Sequence, residues 1–366
     1  MSRSDILLVG QTPPPYHGQS VVTGMLFEDE WAGLKVERLR MAYSDTIDVV
    51  GKASFGKVLH LISLIFQTWK IAFLKRPKVF YYLPASSNKA AVIRDVIYLS
   101  AVRWCFKKTV FHYHAGGLPE YLEGAGLLGK LGHFVYKNAD ISIEISQTEF
   151  PPARAFDAKC QVFVRNGLDV VKMQSQSNEG VFNILFVGAL NEGKGVMESL
   201  KAVNTVQATT TQSFKIQLAG AWASDDFKKE CEAYIIENKL DGVVEFLGII
   251  KGDEKWQAYG NADVFLFPSH YHAENFPLVL IEAMGCGLPV ITTNWRGIPQ
   301  LTGGSEAAIL CDVNNQSQIV AALVKYMNEP DFLAQSSANA ELHYQKNYTR
   351  KKFVTAIRTQ FENLLK

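Results

Sequence analysis

Residues 274–282 read Glu-Asn-Phe-Pro-Leu-Val-Leu-Ile-Glu and run on into Ala-Met-Gly-Cys-Gly-Leu-Pro-Val-Ile, so two carboxylates bracket a nearly all-apolar segment. A charge at the edge of such a segment is costly without a partner. Pro277 suits the first position of a helix, where its missing N–H is not needed. A helix running on through Glu282 would hold the two acids roughly 12 Å apart along its axis, at 1.5 Å per residue. That is too far for carboxylates sharing one proton. It suits the gripping of two distant hydroxyl groups on one elongated ligand, with helix-start amides facing an anion between them. The competing reading is an ordinary buried helix with one solvated acid at each end.

Three further constellations each follow an apolar run. In Gly10-Gln11-Thr12-Pro13-Pro14-Pro15-Tyr16-His17-Gly18-Gln19-Ser20, a proline-stiffened loop leads into a glycine and a small hydroxyl residue. It can bring backbone N–H groups to a phosphate or be a structural turn. In His112-Tyr113-His114-Ala115-Gly116-Gly117, His114 closes a strand before two glycines. It either points beside a ligand or is satisfied within the core. Val187-Gly188-Ala189-Leu190-Asn191-Glu192-Gly193-Lys194-Gly195 sets a lysine between glycines. Such a mobile cation can neutralise a departing diphosphate, or be a solvated surface lysine. Neither His112/His114 nor His270/His272 has a nearby carboxylate set, so no metal site is expected.

Short β-branched or aromatic runs bounded by polar residues alternate with helical stretches, the pattern of buried parallel strands in α/β folds. The first series is Ile6–Gly10, Val79–Leu83, Thr109–Tyr113, Ile141–Ile145 and Gln161–Val164. After a polar stretch, Lys172–Gly180, a second series follows: Phe182–Gly188, Lys215–Gly220, Val243–Gly248, Asp263–Pro268 and Val290–Thr293. Two similar halves imply two doubly wound Rossmann-like domains facing a central cleft, with ligands beyond the carboxyl ends of the strands. The expected division is 1–170, 171–345 and a closing helix over 346–366, whose apolar residues from Phe353 to Leu365 have amphipathic spacing.

The 366 residues suit two domains, and 48% hydrophobic with 20% charged residues is an ordinary globular balance. Net charge is +1, with no basic tail or basic–aromatic repeat, so nucleic-acid binding is not expected. Five scattered cysteines without a C-x-x-C pair fit reduced thiols, and the first strand follows Met1 closely. Both observations predict a cytoplasmic protein. The stretch 57–76 is apolar and aromatic with interspersed lysines, too interrupted to span a membrane. It is either a helix buried against a sheet or, with the basic–aromatic cluster 103–108, a peripheral contact with the inner membrane face.

Four stretches together resemble landmarks of glycosyltransferase family 4. They are Phe186-Val187-Gly188-x-Leu190-x-x-x-Lys194-Gly195, Val164-x-Asn166-Gly167-x-Asp169, Ala262-Asp263-Val264-x-Leu266-x-Pro268-Ser269, and Glu274-x-Phe276-x-x-x-x-x-Glu282-Ala283-Met284-x-x-Gly287-x-Pro289-Val290. The resemblance implies a GT-B fold and a retaining, metal-independent transferase without a cofactor, using a UDP- or GDP-linked sugar as donor. It also implies a sugar or lipid-linked glycan acceptor in bacterial surface or extracellular polysaccharide synthesis. On this chain, Glu282 would bind the ribose and Glu274 the sugar hydroxyls. The amides around Asn275 and Phe276, with Lys194, would hold the diphosphate beside Gly188. Gly18 and its loop would close over the phosphates, His114 would sit near the transferred sugar, and Ile250 would meet the base.

Two departures stand out. Ala189 occupies the place of the family's usual arginine, and Gly297-Ile298-Pro299-Gln300 replaces Gly-x-Pro-Glu. Unless Arg296 or Arg165 reaches the site, Lys194 is then its only clear side-chain cation. The alternatives are a nucleotide-sugar epimerase or other GT-B enzyme, and a non-catalytic sugar-nucleotide-binding subunit. A dehydrogenase is disfavoured, because no G-x-G-x-x-G follows the first strand.

Overall fold

The computed structural model describes residues 3–41, 55–84, 86–176 and 180–366. Ser177, Asn178 and Glu179 of the polar stretch lie outside them. The chain divides into two compact units, Met1–Gly167 with Arg350–Lys366, and Leu168–Thr349.

The N-terminal unit carries strands β1 (Ile6–Gly10), β2 (Val36–Arg40), β3 (Val79–Tyr82), β4 (Lys108–Tyr113), β5 (Ile141–Glu144) and β6 (Gln161–Phe163). They form a parallel sheet in the order β2-β1-β3-β4-β5-β6. The central strands β1, β3 and β5 are buried along their full length, as expected for a sheet covered on both faces. Helices α1 (Gly18–Glu28), α2 (Phe55–Lys75), α3 (Lys89–Val102), α4 (Leu118–Glu123), α5 (Gly126–Tyr136) and α6 (Pro152–Ala155) connect them.

The C-terminal unit repeats the plan with β7 (Phe182–Val187), β8 (Phe214–Ala219), β9 (Val244–Gly248), β10 (Val264–Phe267), β11 (Val290–Thr293) and β12 (Ala308–Cys311). Its order, β12-β11-β10-β7-β8-β9, is also parallel throughout. Here the helices are α7 (Val196–Thr209), α8 (Asp225–Glu237), α9 (Gly252–Asn261), α10 (Leu278–Gly285), α11 (Ile298–Thr302), α12 (Gln316–Asn328) and α13 (Pro330–Asn347).

The last helix, α14 (Arg350–Leu365), belongs to the N-terminal unit. Its buried Phe361 packs on Trp31 and Tyr81 with ring centroids 5.5 and 5.6 Å away. Arg358 ties it to Asp29 at 2.7 Å.

The ten strands expected from apolar runs are present within one or two residues. Two edge strands, β2 and β12, escaped the sequence reading. Val-Glu-Arg-Leu-Arg at β2 is largely exposed, so it lacks the continuous apolar signature of a buried strand.

In each sheet the strand order reverses beside the first strand, between β1 and β3 in one unit and between β7 and β10 in the other. Loops leaving the carboxyl ends of two such strands diverge and leave a crevice, the usual ligand position in doubly wound sheets. The loops after β7 and β10 carry Gly188–Gly195 and Pro268–Pro277.

Candidate functional site

The loop after β7 is shaped by its own residues. Asn191 Oδ1 accepts from the Lys194 N–H at 2.9 Å, closing one 3-10 turn over Glu192–Lys194. Gly195 then takes φ +83° and turns the chain into α7. A Cβ there would lie 2.4 Å from the Pro268 carbonyl oxygen, so this glycine lets the two switch-point loops meet. The contact continues where the His270 N–H donates to the Gly193 carbonyl at 2.8 Å.

This docking delivers Lys194 to Glu274. Nζ and Oε2 lie 2.5 Å apart, and the two side chains are only 18% and 9% exposed. Ser269 Oγ, fully buried, donates to the same carboxylate oxygen at 3.2 Å. The Lys194 ammonium also lies 5.0 Å from the Tyr271 ring centroid and 5.4 Å from that of Phe267. The lysine expected to be mobile is therefore held, because a buried carboxylate stands opposite it.

The geometry of the acidic segment differs from a single helix. α10 begins at Leu278 with Pro277 as its N-cap residue, so Pro277 is not the first helical residue. Glu274, Asn275 and Phe276 form a buried turn before the helix. The proline favours an extended conformation at the residue before it, which separates that turn from the helix. The rise per residue of one helix therefore does not span the two carboxylates.

Asn275 is fixed from another side. A Cβ on Gly297 would fall 2.2 Å from its carbonyl oxygen. The Phe276 ring turns into the unit and meets the Tyr348 ring at 5.8 Å. Gly188 packs on the same strand pair, where an added Cβ would lie 3.3 Å from the Phe267 ring.

Glu282 has its own partners. Lys255 Nζ lies 2.9 Å from Oε1, and the Tyr259 hydroxyl donates to Oε2 at 2.9 Å. These two residues were not singled out in the sequence, although Lys-x-x-x-Tyr on α9 places both on one helical face. Glu274 and Glu282 thus sit in separate networks. Ile250 is buried after β9, an edge strand separated from β7 by β8, while Ile249 is exposed.

Ala189 is exposed at the loop after β7. A second cation stands near the other loop. Arg296, at φ +47°, lies over the Trp295 ring at 5.5 Å, and Trp295 Nε1 donates to the Tyr271 carbonyl at 2.9 Å.

Gly18 and His114 belong to the N-terminal unit. Gly18 opens α1, and its neighbour His17 caps the helix: Nδ1 accepts from the Ser20 N–H at 3.3 Å, while Ser20 Oγ accepts from the His17 N–H at 3.0 Å. Ser20 Oγ donates to the Pro15 carbonyl at 2.7 Å and fixes the proline loop. His114 directly follows β4, with its ring 4.1 Å from that of His112, which is hydrogen-bonded to the Tyr81 hydroxyl at 2.6 Å.

Burial pushes the His114 pKa down to about 3, with nearby His17 adding to the effect. Burial, and then His114, lowers His112 well below the usual imidazole range. Both are neutral at pH 7. At these two imidazoles the unfolded chain binds protons below about pH 6.5 while the folded chain does not, so stability is lost as the pH is lowered through that range. His114 alone should cost up to about 2 kcal/mol between pH 6.5 and 5. Urea unfolding of wild type and His114→Gln at both pH values measures this, and equal pH dependence in the two would refute it.

Residues 170–343 match the family model of glycosyl transferases group 1. O-antigen chain mannosyltransferase B of Escherichia coli is 26% identical over 147 residues, 40% of this chain and 36% of that protein. The match thus spans a little over a third of that relative's length. Sucrose-phosphate synthase of Thermosynechococcus elongatus superposes with a TM-score of 0.72 at 16% identity, covering 99% of both chains. HepE of Anabaena, solved in complex with UDP and glucose, gives 0.69 at 17% identity over 99% of this chain and 100% of that one. The fold is therefore GT-B, and residues 170–343 are similar to the glycosyl transferases group 1 family.

Proposed function

We propose that the protein transfers a sugar from a UDP- or GDP-linked donor to an acceptor hydroxyl, with retention at the anomeric carbon. The observation that carries this reading is the Lys194–Glu274–Ser269 cluster at the switch point of the C-terminal sheet. A fixed cation beside an acceptor-rich carboxylate suits a ligand with an anionic diphosphate next to a polyhydroxyl ring. The donor enters as Lys194 turns from Glu274 to the diphosphate, and the freed carboxylate accepts from sugar hydroxyls. Glu282, steadied by Lys255 and Tyr259, keeps lone pairs for the ribose hydroxyls. The amides of Asn275 and Phe276 add uncharged donors.

In the reaction the bond from the anomeric carbon to the diphosphate oxygen breaks, and the acceptor oxygen bonds to the same face. The acceptor's proton passes to the departing diphosphate oxygen. Lys194 offsets the charge developing there, so the protein's own side chain supplies the neutralisation without a metal.

The acceptor is proposed to be a lipid-linked glycan at the inner membrane face, in bacterial polysaccharide synthesis. The similarity to an O-antigen chain mannosyltransferase supports this part, and so does the apolar helix over 57–76.

A screen of UDP- and GDP-sugars, with membrane extract as acceptor source and product anomers read by NMR, tests the assignment. Retained anomeric configuration is expected. Isomerisation of the donor without acceptor would indicate an epimerase, and binding without hydrolysis or transfer a non-catalytic subunit. Glu282→Gln should raise the donor KM about tenfold or more with little change in kcat, since it removes binding common to ground and transition states. Unchanged KM would remove Glu282 from the donor site.

A further inference from the structure

The outer surface of the N-terminal unit is apolar where a globular unit is usually polar. Helices α2, α3 and α5 lie side by side. Thr68 and Tyr98 hydroxyls meet at 2.7 Å, and Trp69 Nε1 donates to the Ala101 carbonyl at 2.9 Å. The Tyr136 hydroxyl donates to Asp95 at 2.7 Å and joins α5 to α3.

α2 buries Leu61, Leu64, Thr68 and Ala72 toward the unit. That inward stripe means that α2 lies flat, although its length and composition would suffice to cross a membrane. Its other side exposes Leu59, Ile62, Phe66 and Phe73. The same holds for Ile93 and Ile97 on α3, for Trp104 just after it, and for Leu127, Leu131 and Phe134 on α5. Phe66, Phe134, Trp104 and Leu127 are each more than 60% exposed. Scattered apolar surface residues need no explanation, but three adjacent helices with apolar outer faces do.

Within the three helices the exposed charge is basic, although Glu120 and Glu123 are exposed on the adjoining α4. Lys70, Lys89, Lys107, Lys130 and Lys137 are exposed on or beside these helices. The sole carboxylate within the three helices, Asp95, is buried against the Tyr82 and Tyr136 hydroxyls and Arg94. Of the 103–108 cluster, Arg103 turns inward to the Val135 carbonyl at 2.7 Å, and Lys108 binds the Leu364 carbonyl. Only Trp104 and Lys107 of that cluster are exposed.

We infer that the α2–α3–α5 layer, with Trp104, docks flat on an anionic lipid bilayer, its apolar side chains entering the headgroup–acyl boundary and its lysines meeting lipid phosphates. A second copy of the chain fits less well, because a twofold contact would set these lysines against one another. Amphipathic surfaces of this composition bind by buried apolar area together with attraction to anionic headgroups. The inference rests on the lipid-linked acceptor proposed above for its purpose, and it extends the contact from α2 to three helices.

Sedimentation with vesicles tests it. The full chain should pellet with vesicles of phosphatidylcholine containing about a third phosphatidylglycerol, and far less with phosphatidylcholine alone, as surface attraction requires. Lys70→Glu/Lys130→Glu should weaken binding about tenfold or more. Phe66→Glu/Ile97→Glu/Phe134→Glu should do the same, with both variants keeping wild-type donor hydrolysis. That last measurement separates failure at this surface from failure of the donor-site assignment. The inference is overturned if wild type stays in the supernatant with anionic vesicles at low salt, or if both variants bind as wild type does. It is also overturned if ultracentrifugation shows a dimer that the apolar variant dissociates.

Discussion

Lys194→Met should lower kcat/KM for donor hydrolysis and transfer by about 10²–10³, the usual scale for removing one stabiliser of a developing oxyanion. Methionine keeps most of lysine's length and its apolar, unbranched stem, and removes the ammonium with its charge and its hydrogen-bond donors. Most of the loss should fall on kcat, because charge on the diphosphate oxygen grows as the bond to the sugar breaks. The same substitution leaves Glu274 without its cation, although Ser269 still donates to it. Stability should therefore fall by about 1–3 kcal/mol, as for a buried acceptor losing one partner. Thermal unfolding reads that cost separately from turnover. Glu274→Gln should behave differently, raising donor KM as well as lowering kcat, since a carboxylate that accepts from sugar hydroxyls binds substrate and transition state alike. Wild-type kinetics in both variants would show that the pair is a structural ion pair only.

Much of this site was legible because its residues lie next to strong local signals. Lys194 follows a buried strand and stands between glycines. Glu274 and Glu282 border an apolar segment with a proline. Such features survive translation into structure because backbone constraints and burial act within a few residues. What was not legible is what those residues do to each other. The Lys194–Glu274 ion pair joins positions 80 residues apart and depends on β7 and β10 being neighbours, a fact of sheet order. Lys255 and Tyr259 were missed for the same reason, their role being visible only once α9 lies against α10.

The fold shows the same division. Central strands such as β1 and β10 announce themselves because they are covered on both faces. β2, at one edge, carries a polar sequence that local pattern does not separate from a loop, whereas β12 is the apolar Ala-Ile-Leu-Cys and was simply not read as a strand. Helix α2, read from the apolar stretch 57–76, is the instructive intermediate. Its inward stripe and its exposed aromatic stripe are both apolar, so periodicity alone could not decide between core and surface. The structure shows that it is both at once.

Gly297→Ala should cut donor kcat/KM about 10²-fold while leaving the fold intact. Gly297 has φ −83° and ψ −4°, which alanine adopts without strain, so backbone conformation raises no objection. The obstacle is steric: the new methyl would sit 2.2 Å from the Asn275 carbonyl oxygen and 2.7 Å from its Oδ1. Backbone, unlike the end of a long side chain, does not swing aside cheaply, so the 274–276 turn must shift by an ångström or so. A displacement of that size is enough to cost about two orders of magnitude where geometry carries catalysis. The effect should appear in donor KM and kcat together, since Glu274 and the amides of Asn275 and Phe276 move as one turn. Gly242→Ala provides the control, because a Cβ at Gly242 meets nothing within 4 Å. Donor kinetics of Gly297→Ala matching those of Gly242→Ala would mean that the turn before α10 does not hold the donor, whatever Lys194 does.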